Sequence, residues 1–179
     1  LAVEQMIEVT QLIIEFLSKL SKHFPVKYLT IVGNHDRVNK NKHDAMDKED
    51  YNIVHEALMK RACKELDIDY IEKVDHYYHI LKVNGRNFYL AHGDRDNIRS
   101  PKLLAELSIL HNTPIDVVMV GHFHSHSVVE VSDDKYQIVT GSLKGSDSCS
   151  AKINKSSSRS QVSALVNDNG DIDIRQIKL

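Results

Sequence analysis

Three short stretches place histidine, asparagine and aspartate directly after an apolar run. In Ile115 to His126, IDVVMVGHFHSH, the run Val117 to Val120 stops at Gly121, and His122, His124 and His126 follow at every second position. Val26 to Val32, VKYLTIV, ends in Gly33-Asn34-His35-Asp36, and Asn87 to Ala91, NFYLA, runs into His92-Gly93-Asp94. Imidazole is the commonest neutral metal ligand near pH 7, and two of them one residue apart on extended backbone point to the same side. A metal site is therefore the first chemical reading. The bland alternative, for one such motif, is a histidine-containing turn that caps a strand, with Gly121 letting the backbone turn. Three stretches of one construction favour the metal, because open α/β sheets bind ligands where the carboxyl ends of strands converge.

The elements that must position these groups are legible from periodicity. Leu1 to His23 carries Met6, Val9, Ile13, Phe16, Leu17 and Leu20 on one helical face and should end before Pro25, with His23 as a charge on the helix dipole. Tyr51 to Leu66 reads as a second amphipathic helix capped by Asp50, and Ser100-Pro101 as N-cap and first residue of a third, to about Leu110. Asp67 to Tyr70 leads to a short strand. Asn84-Gly85 between Asp75–Val83 and Arg86–Ala91 is a strong hairpin signal, with His76 and His79 on its first strand. Further strands fall at 128–131, 136–140, 161–166 and 171–177, turned by Asp133-Asp134 and Asn169-Gly170. Arg37 to Asp50 is a charged loop, either solvated or covering substrate. Residues 141–160, rich in Ser, Gly and Lys, read as a long loop whose Lys144, Lys152, Lys155 and Arg159 could follow a nucleic-acid backbone or only be solvated.

Bulk properties narrow the classes. A length of 179 residues with 41% hydrophobic residues supports a single-domain core. The net charge of -2 gives no global pull toward nucleic acid, so phosphate binding must come from local groups. Two cysteines make no disulfide framework and suit a reducing, cytoplasmic setting. No apolar run is long enough to span a bilayer.

With GNHD at 33–36, AHGD at 91–94 and GHFH at 121–124, in that order and each after a strand, the chain resembles the calcineurin-like metallophosphoesterases. The match runs by motif from Val26 to His126. The resemblance implies an α/β fold of two packed mixed β-sheets flanked by helices, one domain over 1–179, and a dinuclear metal centre at the strand ends. It implies a phosphodiesterase or nuclease in which Asn34, His92 and His122 hold the second metal and His124 the first. His35 would be the acid beside the leaving group, oriented by Asp36, and Asp94 would support His92. Arg37 and Arg95 lie close in sequence to these residues and are candidates for the substrate phosphate; His126 would line the pocket. A carboxamide oxygen with imidazoles suits two divalent ions, Mn first, with Fe, Ni, Co or Zn also fitting. Such a pair activates a bridging water, while protonation of the departing alkoxide by His35 would contribute about 10²–10⁴-fold.

The family's Asp-x-His and Gly-Asp-x-x-Asp motifs, which precede GNHD, are not found: before Gly33 there is no aspartate, and the only histidine is His23. The expectation is therefore the C-terminal portion of a longer domain, incomplete at its N-terminus, weak in metal binding and hydrolysis by itself. The partners expected are a phosphoester substrate, nucleic acid among the candidates, and either a second copy or a polypeptide supplying the missing strands; no membrane is expected. Two other classes stay open: a catalytically inactive scaffold of this fold, and a mononuclear metal-binding module that uses Asn34, His92, His122 and His124 around one ion.

Overall fold

The computed structural model describes residues 2–39, 41, 49–146, 150 and 156–179. His43, Cys149, Lys152 and Lys155 lie outside the described residues. The chain divides into two compact units, Leu1–His76 and Tyr77–Leu179. Among the described residues no helix is long and apolar enough to cross a membrane.

The first unit holds helices α1 (Ala2–Leu20) and α2 (Tyr51–Glu65) and the paired short strands β1 (Lys27–Tyr28) and β2 (Asp69–Tyr70). Leu17, Met59, Cys63 and Ile68 form its core, with Ile13, Ile14, Val26 and Leu66 packed around them. Asp50 caps α2 as expected, its carboxylate accepting from the Ile53 N–H at 3.1 Å. α1 stops three residues before His23, because the His23 and Phe24 N–H groups both turn back to the Leu20 carbonyl. His23 thus lies outside the helix. Only two residues of VKYLTIV become a strand: β2 offers just two partners, so the ladder ends before Val32. His76 is also not on a strand, and its Nε2 lies 2.9 Å from Asp50 Oδ2.

Between α1 and α2 runs a polar bridge. Thr10 Oγ1 donates to the Met6 carbonyl at 2.7 Å, so in its 2.7 Å contact with His55 Nδ1 the ring must donate. That leaves His55 Nε2 to accept the Tyr28 hydroxyl at 2.8 Å. Burial holds the His55 pKa down and pushes Tyr28 up to about 12, so both are neutral at pH 7.

The second unit is built on a five-stranded mixed sheet in the order β3 (Tyr78–Val83), β4 (Arg86–Ala91), β5 (Val117–Val120), β7 (Lys135–Val139), β6 (Ser127–Ser132). β4, β5 and β7 are parallel, and β3 and β6 flank them antiparallel. On one face α3 (Leu103–Leu110) buries Leu103, Leu104 and Leu107 against Tyr89, Val118 and Val120. Against the other face lies an antiparallel pair, β8 (Ser160–Val166) and β9 (Ile172–Lys178); Val166, Val162, Ile172 and Ile174 meet Phe88, Val117 and Ile138 there. Consecutive residues of β4 and β5, Phe88 with Tyr89 and Val117 with Val118, are buried because of this double cover, since side chains of a strand leave by both faces. The fold class is mixed α/β, with two packed sheets and helices.

One helix start differs from the sequence reading and one turn agrees with it. α3 begins after Lys102, not at Ser100: Ser100 and Pro101 make a turn in which the Ser100 carbonyl accepts from Leu103 at 3.2 Å and from buried Gln137 Nε2 at 2.7 Å. Residues Asn84 and Gly85 do make the expected hairpin, with φ of +42 and +86 as a two-residue turn of this kind requires.

Candidate functional site

Register sets the site in the second unit. Ala91 pairs with Val120 and Val120 with Val139, so the three parallel strands end flush and His92, Gly121 and Thr140 stand side by side just beyond them. Backbone bonds continue across this row: the Gly121 N–H donates to the His92 carbonyl at 2.9 Å and the Thr140 N–H to the Val120 carbonyl at 2.8 Å. Thr140 was not singled out from sequence. Its signal was there, since YQIV-Thr-Gly has the same apolar-run-then-glycine construction, but threonine carries no metal-site signature.

Gly93 keys the loop after β4 onto β5. Its φ is +102, and a side-chain carbon there would stand 2.8 Å from Val120 Cβ. No other residue can take that conformation in that space. Beyond it, Asp96 accepts a hydrogen bond from buried Tyr89, and burial, reinforced by the Asp94 charge, raises its carboxyl pKa. Tyr89, Tyr78 and His111 stack around this anchor, His111 lying 4.5 Å from Tyr78 between ring centres.

His92 and His122 meet. Nδ1 of His122 is 3.3 Å from Nε2 of His92, with the rings near-perpendicular at 72°. Extended backbone does not bring this about. His122 and His124 have φ of +54 and +56, and the Phe123 N–H closes a 2.6 Å bond to the Gly121 carbonyl across His122. The expectation that His122 and His124 sit one residue apart on an extended segment, facing one side, is therefore overturned. A tight i to i+2 turn with its central residue in the left-handed region is the rarer, strained form, and it aims His122 at His92. The turn is made by the histidines rather than by Gly121.

The other sequence candidates lie as follows. His124 is exposed, and so is Asp94. His126 is half-buried, and its Nδ1 is buried without a hydrogen-bond partner among the described residues. Arg95 lies over the Tyr77 ring, 3.3 Å from its centre. In the first unit, Asp36 accepts the Gly33 N–H at 2.7 Å and so fastens the turn carrying Asn34 and His35, while Arg37 Nε donates to the Asn34 carbonyl at 2.7 Å. His35 is exposed. The loop that follows is closed at its base by a bridge between Arg37 and Asp50 and by the Tyr51 N–H on the Asp36 carbonyl.

The donors present fit a metal ion in part. Two nitrogens each about 2.0–2.1 Å from a tetrahedral ion stand about 3.3 Å apart, the spacing of the His92–His122 pair. The same spacing also suits one proton shared between neutral rings. Among the described residues no group of three or more His, Cys, Asp or Glu side chains is gathered where it could hold an ion.

No family model matches the chain, and no curated protein matches it. Among solved structures it is similar to Vps29 of Entamoeba histolytica in complex with zinc, at 17% identity over 66% of this chain and 74% of that one, with a TM-score of 0.44. A single mutant of the same Vps29 gives 13% identity over 92% and 89%, with a TM-score of 0.48. The Thermotoga maritima protein TM1076 gives 15% identity over 69% and 73%, with a TM-score of 0.44.

Proposed function

We propose that this chain carries part of a calcineurin-like metallophosphoesterase site, with His92 and His122 as the pair that receives a divalent ion. The observation that carries the proposal is the 3.3 Å approach of their ring nitrogens at the ends of two adjacent parallel strands. Neutral imidazoles suit Mn, Fe, Co, Ni or Zn. Bound there, such an ion would supply a water acidic enough to act as a nucleophile near pH 7 and would polarise a phosphoryl oxygen.

What the chain itself does is orient. Gly93 against Val120 and the Gly121 N–H on the His92 carbonyl fix the His92 backbone. The left-handed turn fixes His122. Preorganisation of this kind matters because a ligand 1 Å out of place loses much of its effect. The roles that the motif resemblance implies for Asn34, His124 and His35, the last as the acid for the leaving alkoxide, belong to the same proposal and are tested by substitution.

Cobalt(II) titration of the purified chain, followed by its visible absorption, together with hydrolysis of bis-p-nitrophenyl phosphate, separates three readings. The phosphoesterase reading expects metal uptake lost in His92→Ala and in His122→Ala, and a weak hydrolysis that His35→Asn abolishes while metal uptake is kept. Uptake of one ion with no hydrolysis at all favours the mononuclear module. Neither uptake nor hydrolysis leaves the inactive scaffold.

A further inference from the structure

We propose that Tyr77 and Arg95 form an oxyanion-recognition element beside the His92–His122 pair, Arg95 taking the unesterified phosphoryl oxygens of the substrate and Tyr77 acting as its positioning residue. The proposal rests on the phosphoesterase reading and extends it to a tyrosine that no motif contains. At 3.3 Å from the ring centre, the Arg95 guanidinium is in face-on contact with Tyr77. A stacked guanidinium uses its face and keeps its N–H edge for hydrogen bonding. Arg95 feels the charge of its neighbour Asp96, but its one close contact among the described residues is the Tyr77 ring, whereas the Nε of Arg37, the other candidate, already donates to the Asn34 carbonyl.

Its placement is fixed on both sides. Two residues before Arg95, Gly93 is pressed on Val120; one residue after it, Asp96 is held by the Tyr89 hydroxyl. Three peptide steps separate Arg95 from His92, so their Cα atoms are at most about 11 Å apart. The loop backbone is thus fixed on either side of Arg95, and the Tyr77 ring is what holds its exposed guanidinium near the histidine pair. Phosphate monoesters and diesters both keep at least two unesterified oxygens, the pattern a guanidinium edge binds in two parallel hydrogen bonds.

The test begins with the metal-free, ¹⁵N-labelled chain, following the Arg95 Nε–Hε resonance as inorganic phosphate or dimethyl phosphate is added. The expected result is an upfield ring-current position for this resonance and a shift on adding either anion. Both effects should survive Tyr77→Phe and vanish in Tyr77→Leu, because the ring and not the hydroxyl does the positioning. A response to phosphate but not to dimethyl phosphate assigns the element to monoesters; a response to both assigns it to diesters as well. In the metal-loaded chain, Arg95→Lys should lower kcat/KM for bis-p-nitrophenyl phosphate by about 10–100-fold with cobalt stoichiometry unchanged. An Arg95 resonance that ignores both anions, or responds equally in Tyr77→Leu, overturns the proposal even if metal binds. A preserved anion response in a chain that takes up no metal upholds the element and removes the phosphoesterase reading instead.

Discussion

Replacing Gly93 by alanine tests how the site loop is locked to the sheet, and the chain contains its own control. At Gly93 two penalties combine. The φ of +102 is unfavourable for any residue with a Cβ, by about 1–2 kcal/mol. The new carbon would also stand 2.8 Å from Val120 Cβ and 3.1 Å from its Cγ2, on a strand hydrogen-bonded on both sides. Val120 cannot swing away, so overpacking adds about 1–3 kcal/mol. The expected total is about 2–5 kcal/mol. Gly85 has a similar φ of +86 but nothing within 4 Å of its would-be Cβ, so Gly85→Ala should cost only the torsional part, about 1–2 kcal/mol. Urea unfolding followed by far-UV circular dichroism measures both, and hydrogen exchange at the Gly121 and Thr140 amides shows whether the loss is centred on the strand ends. Equal costs for the two variants, or a Gly93→Ala cost below about 1 kcal/mol, would refute the reasoning, since Val120 would then not be an immovable neighbour.

Other outcomes follow from single contacts. Burial lowers the pKa of His79, on β3, so the folded state keeps it neutral; its stabilisation is complete above the unfolded value of 6.5 and is lost as pH falls below that, by at most about 1.4 kcal/mol per pH unit. His79→Leu should flatten the stability profile between pH 7 and 5, and an unchanged slope counts against it. Cys63 is buried in the first unit's core and burial raises its thiol pKa, so in a Cys149→Ser background it should react with a disulfide reagent only on unfolding; rapid labelling of the native chain would contradict its placement. Arg86 donates to the Gly170 carbonyl at 2.6 Å and pairs with Asp134 at 3.2 Å, tying the β8–β9 turn to the five-stranded sheet, so Arg86→Met should cost about 1–2 kcal/mol in urea unfolding. At exposed His124, with φ of +56, glycine should be more stable than alanine by about 1 kcal/mol, the reverse of the order at an ordinary position.

What could be read from sequence was what depends on periodicity and on local turn chemistry. Val117 to Val120 is a buried strand because both its faces are covered, and an unbroken apolar run is what such a strand looks like. Asn84-Gly85 specifies its hairpin through backbone preferences that need no partner. Where a partner decides, sequence reading failed: Leu29 to Val32 has strand composition, yet β2 is too short to pair with it. Ser100-Pro101 has the composition of a helix start, but the Ser100 carbonyl is claimed by Gln137 from β7, and the helix begins later.

The histidine turn shows the same limit at the site itself. The alternation His122, His124, His126 invites an extended reading, because most residues avoid positive φ and a run of L-residues defaults to the β region. The observed turn departs from that default at two of the three histidines, each departure costing on the order of 1–3 kcal/mol. The compensation comes from the Phe123 N–H on the Gly121 carbonyl and from the strand-end bonds that join Gly121 to His92 and Thr140 to Val120. A turn held this way places the His122 ring nitrogen 3.3 Å from His92. That a strained turn is kept at this place adds to the argument for the proposed ion-binding role of the pair.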